Sequence, residues 1–335
     1  MSTAANIRVA CIGHVFIPKA RPIIQAVAPA GFELLFAEQP GPETDKWLET
    51  SDFLFVSSPV DEDMILRAPK LRMIQKWGIG VDKIDLAAAE RHGIYVAITA
   101  GANAATVSEH TVLLMLSVFR RLPLADRAMH EGRWITAQIR PQARKLLGKT
   151  VGILGFGNIG RAVARRLQGF ETRILYHDIM GPFKEVERNL GATYVTKDQL
   201  LAESDILTLH SPGGGGNRHL IDRAAIGKMK PGAILINTAR GDLVDEDALV
   251  DALASGHLSG AGLDVFEPEP LPTGSRLVEF DNVVMTPHAA GSVMDNVEPM
   301  AAHGLKNMLR LVQGEQLSAA DLVVNPSRPR TAVVR

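Results

Sequence analysis

A chain of 335 residues exceeds the size at which a single hydrophobic core usually stops growing, so its length predicts two domains. Hydrophobic residues make up 46% of the chain and charged residues 22%, a composition that excludes a disordered protein. The formal net charge of -1 argues against a nucleic-acid partner, and the lack of a secretory signal or a long apolar run leads us to expect a cytoplasmic protein with no membrane contact.

Five short apolar runs lie between Ile7 and Ile98, separated by segments rich in Pro, Gly, Asp and Glu. They read IRVACI, FELLFA, FLFVSS, LRMIQK and IYVAIT. Strands that alternate with helical spacers predict an α/β domain whose parallel sheet is covered on both faces. Cys11, the single cysteine, is interpreted as a buried strand residue rather than a reactive thiol. No disulfide is expected within the chain, and no spacing of Cys or His indicates a metal site.

A long helix is predicted next, with Asn103 as its N-cap and Pro123 as its stop. A second series of apolar runs follows: TVGIL, TRILY, ATYV, DILTL, AILIN, GAGLDV and NVVMT. It predicts a second, larger doubly wound sheet. The segment 294–311 is again helical in pattern, although the sequence does not assign this helix to either domain. The polar tail 325–335 is expected to fray.

A glycine-rich turn lies between the first strand of the second series and a helical pattern. In GFGNIG, Gly155 allows a tight turn, Gly157 allows close approach of a pyrophosphate, and Gly160 allows close packing of helix on strand. The unpaired amides at the helix start, which include Asn158 and Ile159, would hold the anion. By itself, such a turn could also be only a tight turn.

Asp178 ends the next predicted strand. A carboxylate there can accept hydrogen bonds from the adenosine ribose and repel a 2′-phosphate, which predicts NAD rather than NADP as the cofactor. The alternative is a solvated charge at a strand end.

Three later strands each lead to a side chain suited to the reduction of a 2-oxo acid. Arg240 offers a permanently charged planar fork for a carboxylate, and His288 can exchange a proton near neutral pH. Glu269 would hold one ring nitrogen of His288. Taken singly, each of these residues could be a surface charge or a structural histidine. His210, which also ends a strand run, is the second candidate for the proton donor.

The segments GFGNIG, NTARGDLVDEDAL, GAGLDVFEPEP and TPHAAGS resemble the D-isomer-specific 2-hydroxyacid dehydrogenases over nearly the whole chain. The resemblance implies that Arg240, Glu269 and His288 are catalytic. It also implies cofactor contacts by Pro212, Thr238 and Asp264, and binding of the substrate carboxylate by backbone amides near Ile79 and Gly80. The turn that holds Ile79 and Gly80 could instead be an ordinary turn.

The resemblance further implies a discontinuous organisation. Residues 1–102 with 292–335 would form a smaller, flavodoxin-like substrate domain, and residues 103–291 a Rossmann domain that binds NAD and builds a homodimer. The chain departs from many relatives at 213–217, which reads GGGGN where they carry a Thr, so this loop is expected to be flexible. Formate dehydrogenases pair the histidine with Gln, and Glu269 argues against that branch.

Together these features predict an NAD-dependent enzyme that acts on glyoxylate, hydroxypyruvate or phosphohydroxypyruvate. Two alternatives stay open. One is a binding protein that senses NAD, like the related corepressors, and the other is an enzyme that oxidises phosphite. The complete set of Arg, Glu and His favours catalysis over binding alone.

Overall fold

The computed structural model describes residues 6–330. Within them the chain forms two compact units, of which the first contains the residues up to 103 and from 292 onward, and the second contains 104–291. The sequence-based boundaries differ from this division only at Asn103, which was assigned to the second domain and lies in the first unit. No helix among the described residues has both the length and the apolar character needed to cross a membrane.

The strands are β1 (Ile7–Ile12), β2 (Phe32–Ala37), β3 (Phe53–Val56), β4 (Met73–Lys76), β5 (Tyr95–Ala97), β6 (Thr150–Leu154), β7 (Arg173–His177), β8 (Ala192–Tyr194), β9 (Ile206–Leu209), β10 (Ala233–Asn237), β11 (Leu258–Leu263), β12 (Val283–Met285) and β13 (Leu322–Val324). The helices are α1 (Arg21–Ala26), α2 (Pro42–Leu48), α3 (Glu62–Leu66), α4 (Leu86–Arg91), α5 (Ala104–Arg120), α6 (Leu122–His130), α7 (Thr136–Ile139), α8 (Asn158–Leu167), α9 (Lys184–Leu190), α10 (Lys197–Glu203), α11 (Arg223–Lys228), α12 (Glu246–Ala254) and α13 (Val297–Val312).

The sheet of the first unit has the strand order β13-β5-β4-β3-β1-β2. Its five sequence-predicted strands are parallel, in the order 2-1-3-4-5 that is typical of flavodoxin-like folds. β3 is buried at every position, which explains why its sequence, FLFV, is apolar throughout rather than alternating. This sheet confirms the α/β fold predicted for the first series of strands.

The sheet of the second unit has the order β12-β11-β10-β9-β6-β7-β8, and all its strands are parallel. The strand order reverses between β6 and β9, as in a Rossmann fold, and ligands bind at such a reversal. With seven strands against six, the second sheet is the larger one, as predicted.

The C-terminal segment belongs to the first unit. The apolar face of α13 packs into the core of that unit, and Gly304 brings the helix so close that a Cβ atom there would lie 2.5 Å from the Phe55 ring. The helix begins at Val297, three residues later than predicted, because residues 294–296 form a 3₁₀ turn.

The prediction of a fraying tail is wrong for residues 325–330. An unpredicted strand, β13, pairs antiparallel with β5, and the chain beyond it is held by hydrogen bonds. The Arg330 amide donates to Gly93 O at 2.8 Å, and its guanidinium donates to Ala68 O at 2.7 Å. The rest of the predicted tail, 331–335, lies outside the described residues.

The prediction for the long helix needs two corrections. α5 begins directly after Asn103, as expected, but the buried Asn103 Oδ1 atom accepts no hydrogen bond from any residue that the structure describes, so it does not cap the helix. α5 ends at Arg120, before Pro123, and this proline lies in the first turn of α6. Proline fits there because the first amides of a helix have no partner within the helix.

Candidate active site

The last residues of three neighbouring strands in the second unit lie in register. Asn237 of β10 pairs with Leu263 of β11, and Leu263 pairs with Met285 of β12. Because the strands are parallel, the loops that follow them leave the same edge of the sheet side by side. Arg240, Glu269 and His288 lie on these three loops, in that order.

The turn that carries Arg240 is folded by the side chain of Asn237. This buried amide donates to Arg240 O at 2.7 Å and accepts from the Ala239 amide at 3.0 Å. The next residue, Gly241, packs on the following loop so closely that a Cβ atom would lie 2.1 Å from the backbone of Phe266. The position of the Arg240 backbone is therefore fixed from both sides.

The loop that carries His288 is held by Asp264, the first residue after β11. Three consecutive amides donate to this one residue: His288 N to the Asp264 carbonyl at 2.7 Å, Ala289 N to Oδ1 at 2.8 Å and Ala290 N to Oδ2 at 2.9 Å. His288 adopts a left-handed backbone with φ of +52°, which costs about 1–2 kcal/mol for a residue other than glycine. The three hydrogen bonds to Asp264 offset that cost.

His288 and Glu269 form a hydrogen-bonded pair. The Nδ1 atom of His288 lies 2.9 Å from Glu269 Oε2 and 3.1 Å from Oε1. A carboxylate only accepts, so Nδ1 carries a proton in this pair and Nε2 is left for another partner. The His288 side chain is 51% exposed, so Nε2 can reach a bound molecule. The Phe266 amide, which donates to Glu269 Oε1 at 3.3 Å, holds the carboxylate in place.

Two residues predicted to contact the cofactor are buried in this structure. The carboxylate of Asp264 is engaged by the loop of His288 and by Thr286 Oγ1 at 2.5 Å. The Thr238 hydroxyl lies 2.9 Å from that of Thr111 on α5. Contacts of Asp264 and Thr238 with a cofactor stay predictions, and their role within the protein is to brace the strand ends.

The glycine-rich loop has the geometry of an anion site. Gly155 has a φ of +91°, and a Cβ atom at Gly160 would lie 2.3 Å from Gly155 O, so both positions need glycine. A Cβ atom at Gly157 would contact nothing within 4 Å, so this residue faces open space. α8 begins there without a side-chain cap, and the amides of Asn158 and Ile159 donate to no acceptor among the described residues. This arrangement fits the pyrophosphate of a dinucleotide.

Asp178 follows β7 and faces the same loop. Its carboxylate accepts from the Phe156 amide at 2.7 Å and from the Met180 amide at 2.9 Å. Each oxygen has a second lone pair, so the carboxylate keeps the capacity to accept from a ribose. The contact with the ribose stays a prediction.

His210, the second candidate for the proton donor, is unsuited to that role. It is partly buried beside Gly155 with its Nδ1 atom shielded from solvent, and desolvation lowers its pKa from 6.5 to about 3, so the ring is neutral at physiological pH. Nε2 lies 3.0 Å from Thr208 Oγ1, whereas Nδ1 has no partner among the described residues.

The loop after β9 is tied down at both ends. The Asn217 side chain donates to Pro212 O at 3.0 Å, and the Gly214 amide donates to Asp242 Oδ2 at 2.6 Å. Gly213 contacts the catalytic candidate directly, because a Cβ atom there would lie 2.7 Å from Arg240 Cγ. The flexibility expected of this loop stays a prediction.

In the first unit, Ile79 and Gly80 follow β4 in a turn that is anchored by Thr99. The Thr99 hydroxyl accepts from the Gly78 amide at 3.0 Å, and the Thr99 amide donates to Gly78 O at 3.0 Å. Neither the Ile79 nor the Gly80 amide donates to an acceptor within 6–330. A pair of unengaged amides is suited to an anion.

The residues that support these side chains were not predicted from the sequence. Asn237, Thr286 and His110 were not singled out as functional, yet all three bond to the loops at the strand ends. A signal was available for Asn237, because it is a polar residue that ends the apolar run AILIN. Across 6–330, no cluster of three or more His, Cys, Asp or Glu side chains is arranged to hold a metal ion.

Comparisons with known proteins show what this chain is similar to. Residues 112–290 match the family model for the NAD binding domain of D-isomer specific 2-hydroxyacid dehydrogenases. A glyoxylate reductase of Korarchaeum cryptofilum is 40% identical, over 78% of this chain and 79% of that protein. A hydroxypyruvate reductase of Thermotoga maritima is 42% identical, over 76% of this chain and 82% of that protein. The NAD complex of a formate dehydrogenase from Staphylococcus aureus superposes with a TM-score of 0.82 at 29% identity, over 96% of this chain and 100% of that one.

Proposed function

Because the chain belongs to the D-isomer specific 2-hydroxyacid dehydrogenases, we propose that it transfers a hydride between NAD and C2 of a small D-2-hydroxy acid or its 2-oxo acid. It is an NAD-dependent oxidoreductase. The observation that carries the proposal is the pairing of His288 with Glu269 on loops adjacent to that of Arg240.

Arg240 acts as the electrophilic group. Its guanidinium is charged at every working pH and binds a carboxylate in a fixed plane, so it orients a 2-oxo acid and polarises the adjacent carbonyl. The backbone on either side of Arg240 is held by Asn237 and by the packing of Gly241, which limits the entropy lost when substrate binds.

His288 exchanges the proton that accompanies the hydride. In reduction, Nε2 donates a proton to the oxygen on C2, and in oxidation it accepts that proton back. Glu269 at 2.9 Å stabilises the charged ring and keeps Nε2 turned away from the carboxylate.

The residues of the second unit fit NAD. Gly155, Gly157 and Gly160, with the amides of Asn158 and Ile159, would hold the pyrophosphate, and Asp178 the adenosine ribose. Pro212, Thr238 and Asp264 lie on the loops that follow β9, β10 and β11, and would line the nicotinamide end. When bound, NAD supplies the hydride acceptor or donor.

The substrate is a two- or three-carbon 2-oxo acid of the glyoxylate or hydroxypyruvate type. The names of the similar reductases support this choice. In the first unit, the amides of Ile79 and Gly80 would bind the substrate carboxylate.

We also propose that the protein is a cytoplasmic homodimer built through the second unit. Several large apolar side chains between 113 and 147 are exposed, of which Trp134 is exposed by 78%. A second copy that covers them would remove this apolar area from water. A solution mass of twice 36.2 kDa would support the dimer.

The test is a panel of substrates assayed through NADH absorbance. We expect oxidation of NADH with glyoxylate or hydroxypyruvate, a D-configured product where C2 becomes chiral, and no NADH formation from phosphite or formate. His288→Asn should lower kcat by a factor of roughly 10² to 10⁴, because the proton donor is lost. His92→Asn is the matched control: His92 pairs with Glu62 at the surface of the first unit, and this variant should keep full activity. Turnover in His288→Asn equal to that of the parent would refute its role, and inactivity of the parent on every 2-oxo acid would refute the function.

A further inference from the structure

The inner face of α5 runs along β11 at unusually short distance. A Cβ atom at Gly260 would lie 2.7 Å from Val118 Cγ1, and one at Gly262 would lie 3.0 Å from Leu114 Cβ. The contact is made by one row of residues on each element: every fourth residue of the helix faces every second residue of the strand. A helix rises about 6 Å in four residues and a strand about 6.6 Å in two, so the two rows stay in register.

The next step of both rows brings two polar side chains together. Four residues before Leu114 is His110, and two residues after Gly262 is Asp264. The Nε2 atom of His110 lies 3.6 Å from Asp264 Oδ1 and 2.9 Å from Thr286 Oγ1. The close packing of α5 on the two strand glycines therefore delivers a histidine to the strand ends beneath the loop of His288.

The direction of each hydrogen bond among His110, Thr286 and Asp264 follows from which groups can donate and which can only accept. The Asp264 carboxylate only accepts, so the Thr286 hydroxyl donates its proton to Oδ1 at 2.5 Å. The oxygen of Thr286 then faces His110 as an acceptor, which assigns the proton to Nε2 of His110. A directed chain results, from His110 to Thr286 to Asp264.

This chain ends on the group that holds the proton donor. Asp264 receives the three consecutive amides 288–290 and keeps His288 in its left-handed conformation. The His110 side chain is 15% exposed, and the Asp264 side chain 1%. Loss of the histidine would leave the partly buried Thr286 hydroxyl without its donor and allow the carboxylate to turn.

We propose that His110 is a positioning residue for hydride transfer, acting through Thr286 and Asp264 to fix the orientation of His288. The expected effect of His110 on kcat rests on the proposed function. Its expected effect on the orientation of His288 rests on geometry alone.

The kinetic test compares His110→Leu with His110→Gln, whose terminal amide can place a donor near the position of Nε2. We expect His110→Leu to lower kcat at least about tenfold, since small displacements of a catalytic group are costly, with the KM for NADH changed less than about twofold. His110→Gln should recover most of the activity. Thr286→Val should reproduce the loss, and the double variant with His110→Leu should lose little more than either single variant, because both break one chain.

A second measurement does not require turnover. In protein labelled with ¹³C at histidine Cε1, the His288 resonance is assigned with His288→Asn and titrated with pH. His110→Leu should shift or broaden this titration, and His110→Gln should restore it. An unchanged His288 resonance in His110→Leu would overturn the proposal, as would equal losses in the Leu and Gln variants. If the parent reduces no 2-oxo acid, the proposed function fails and the resonance still decides this inference.

Discussion

At the scale of single residues, the site depends on polar groups that are held by the backbone around them. Arg240 is the clearest case, because three independent features fix it. Asn237 folds its turn, Gly241 packs on the next loop, and Gly213 lies directly against its side chain. The lack of a side chain at Gly213 is thus part of how the arginine is placed.

Gly213→Ala tests this placement. The added methyl group would lie 2.5 Å from Asp242 Oδ1 and 2.7 Å from Arg240 Cγ, so the arginine must move. We expect kcat/KM for the 2-oxo acid to fall at least about tenfold, because a displacement of about 1 Å can cost that much, whereas binding of NADH is kept.

Gly216→Ala is the matched control for that substitution. It lies in the same loop, a Cβ atom there meets nothing within 4 Å, and its φ is outside the left-handed region. Its activity should stay within about twofold of the parent. Equal effects of the two substitutions would mean that loop flexibility, and not contact with Arg240, governs the rate.

The residues predicted from sequence and those missed differ in one physical respect. Arg240, Glu269 and His288 could be singled out because they follow strand ends and suit a reaction. His110 could not, because its role depends on which strand its helix packs against. That partner is a matter of tertiary packing, which a pattern along the chain does not report.

At the scale of elements, α5 and β11 illustrate how small residues set the distance between layers. Gly260 and Gly262 lie two apart on one face of the strand, and the helix occupies the space that their side chains would take. The strands and helices of both sheets follow from apolar periodicity. β13 was not predicted, because this three-residue strand is antiparallel and lies outside the regular alternation of strands and helices.

Gly262→Ala should push α5 away from the sheet. The methyl group would lie 2.9 Å from Ile236 Cδ1 and 3.0 Å from Leu114 Cβ, both in a packed core, and overpacking of this kind costs about 1–3 kcal/mol. We expect a lower urea midpoint and a lower kcat, since His110 moves with its helix.

Gly227→Ala serves as the control, because this glycine lies within α11 and a Cβ atom there contacts nothing within 4 Å. Alanine in a helix is favoured by about 0.5–1 kcal/mol over glycine, so this variant should be as stable as the parent or more so. A Gly262→Ala protein with parental stability and kcat would contradict the packing argument.

At the scale of the whole molecule, the stability of the second unit should depend on pH through His210. Burial lowers its pKa to about 3, whereas the ordinary value of 6.5 applies to the unfolded chain. Between these two values the unfolded state binds a proton that the folded state does not, so the free energy of unfolding falls as pH decreases. The contribution is complete above pH 6.5 and decreases by about 1.4 kcal/mol per pH unit below it.

Urea unfolding of the parent and of His210→Gln at pH 8 and pH 5.5 isolates this contribution, because Gln has no titrating group. On passing from pH 8 to pH 5.5, the parent should lose about 1.4 kcal/mol more than the variant. Replacement of the exposed His130 by Gln removes a histidine of the same formal charge and should leave the parental loss unchanged. Equal losses of stability in the parent and in His210→Gln would contradict this prediction. The charged ring would then be solvated or hydrogen-bonded in the folded state, most directly through Nδ1, which has no partner among the described residues.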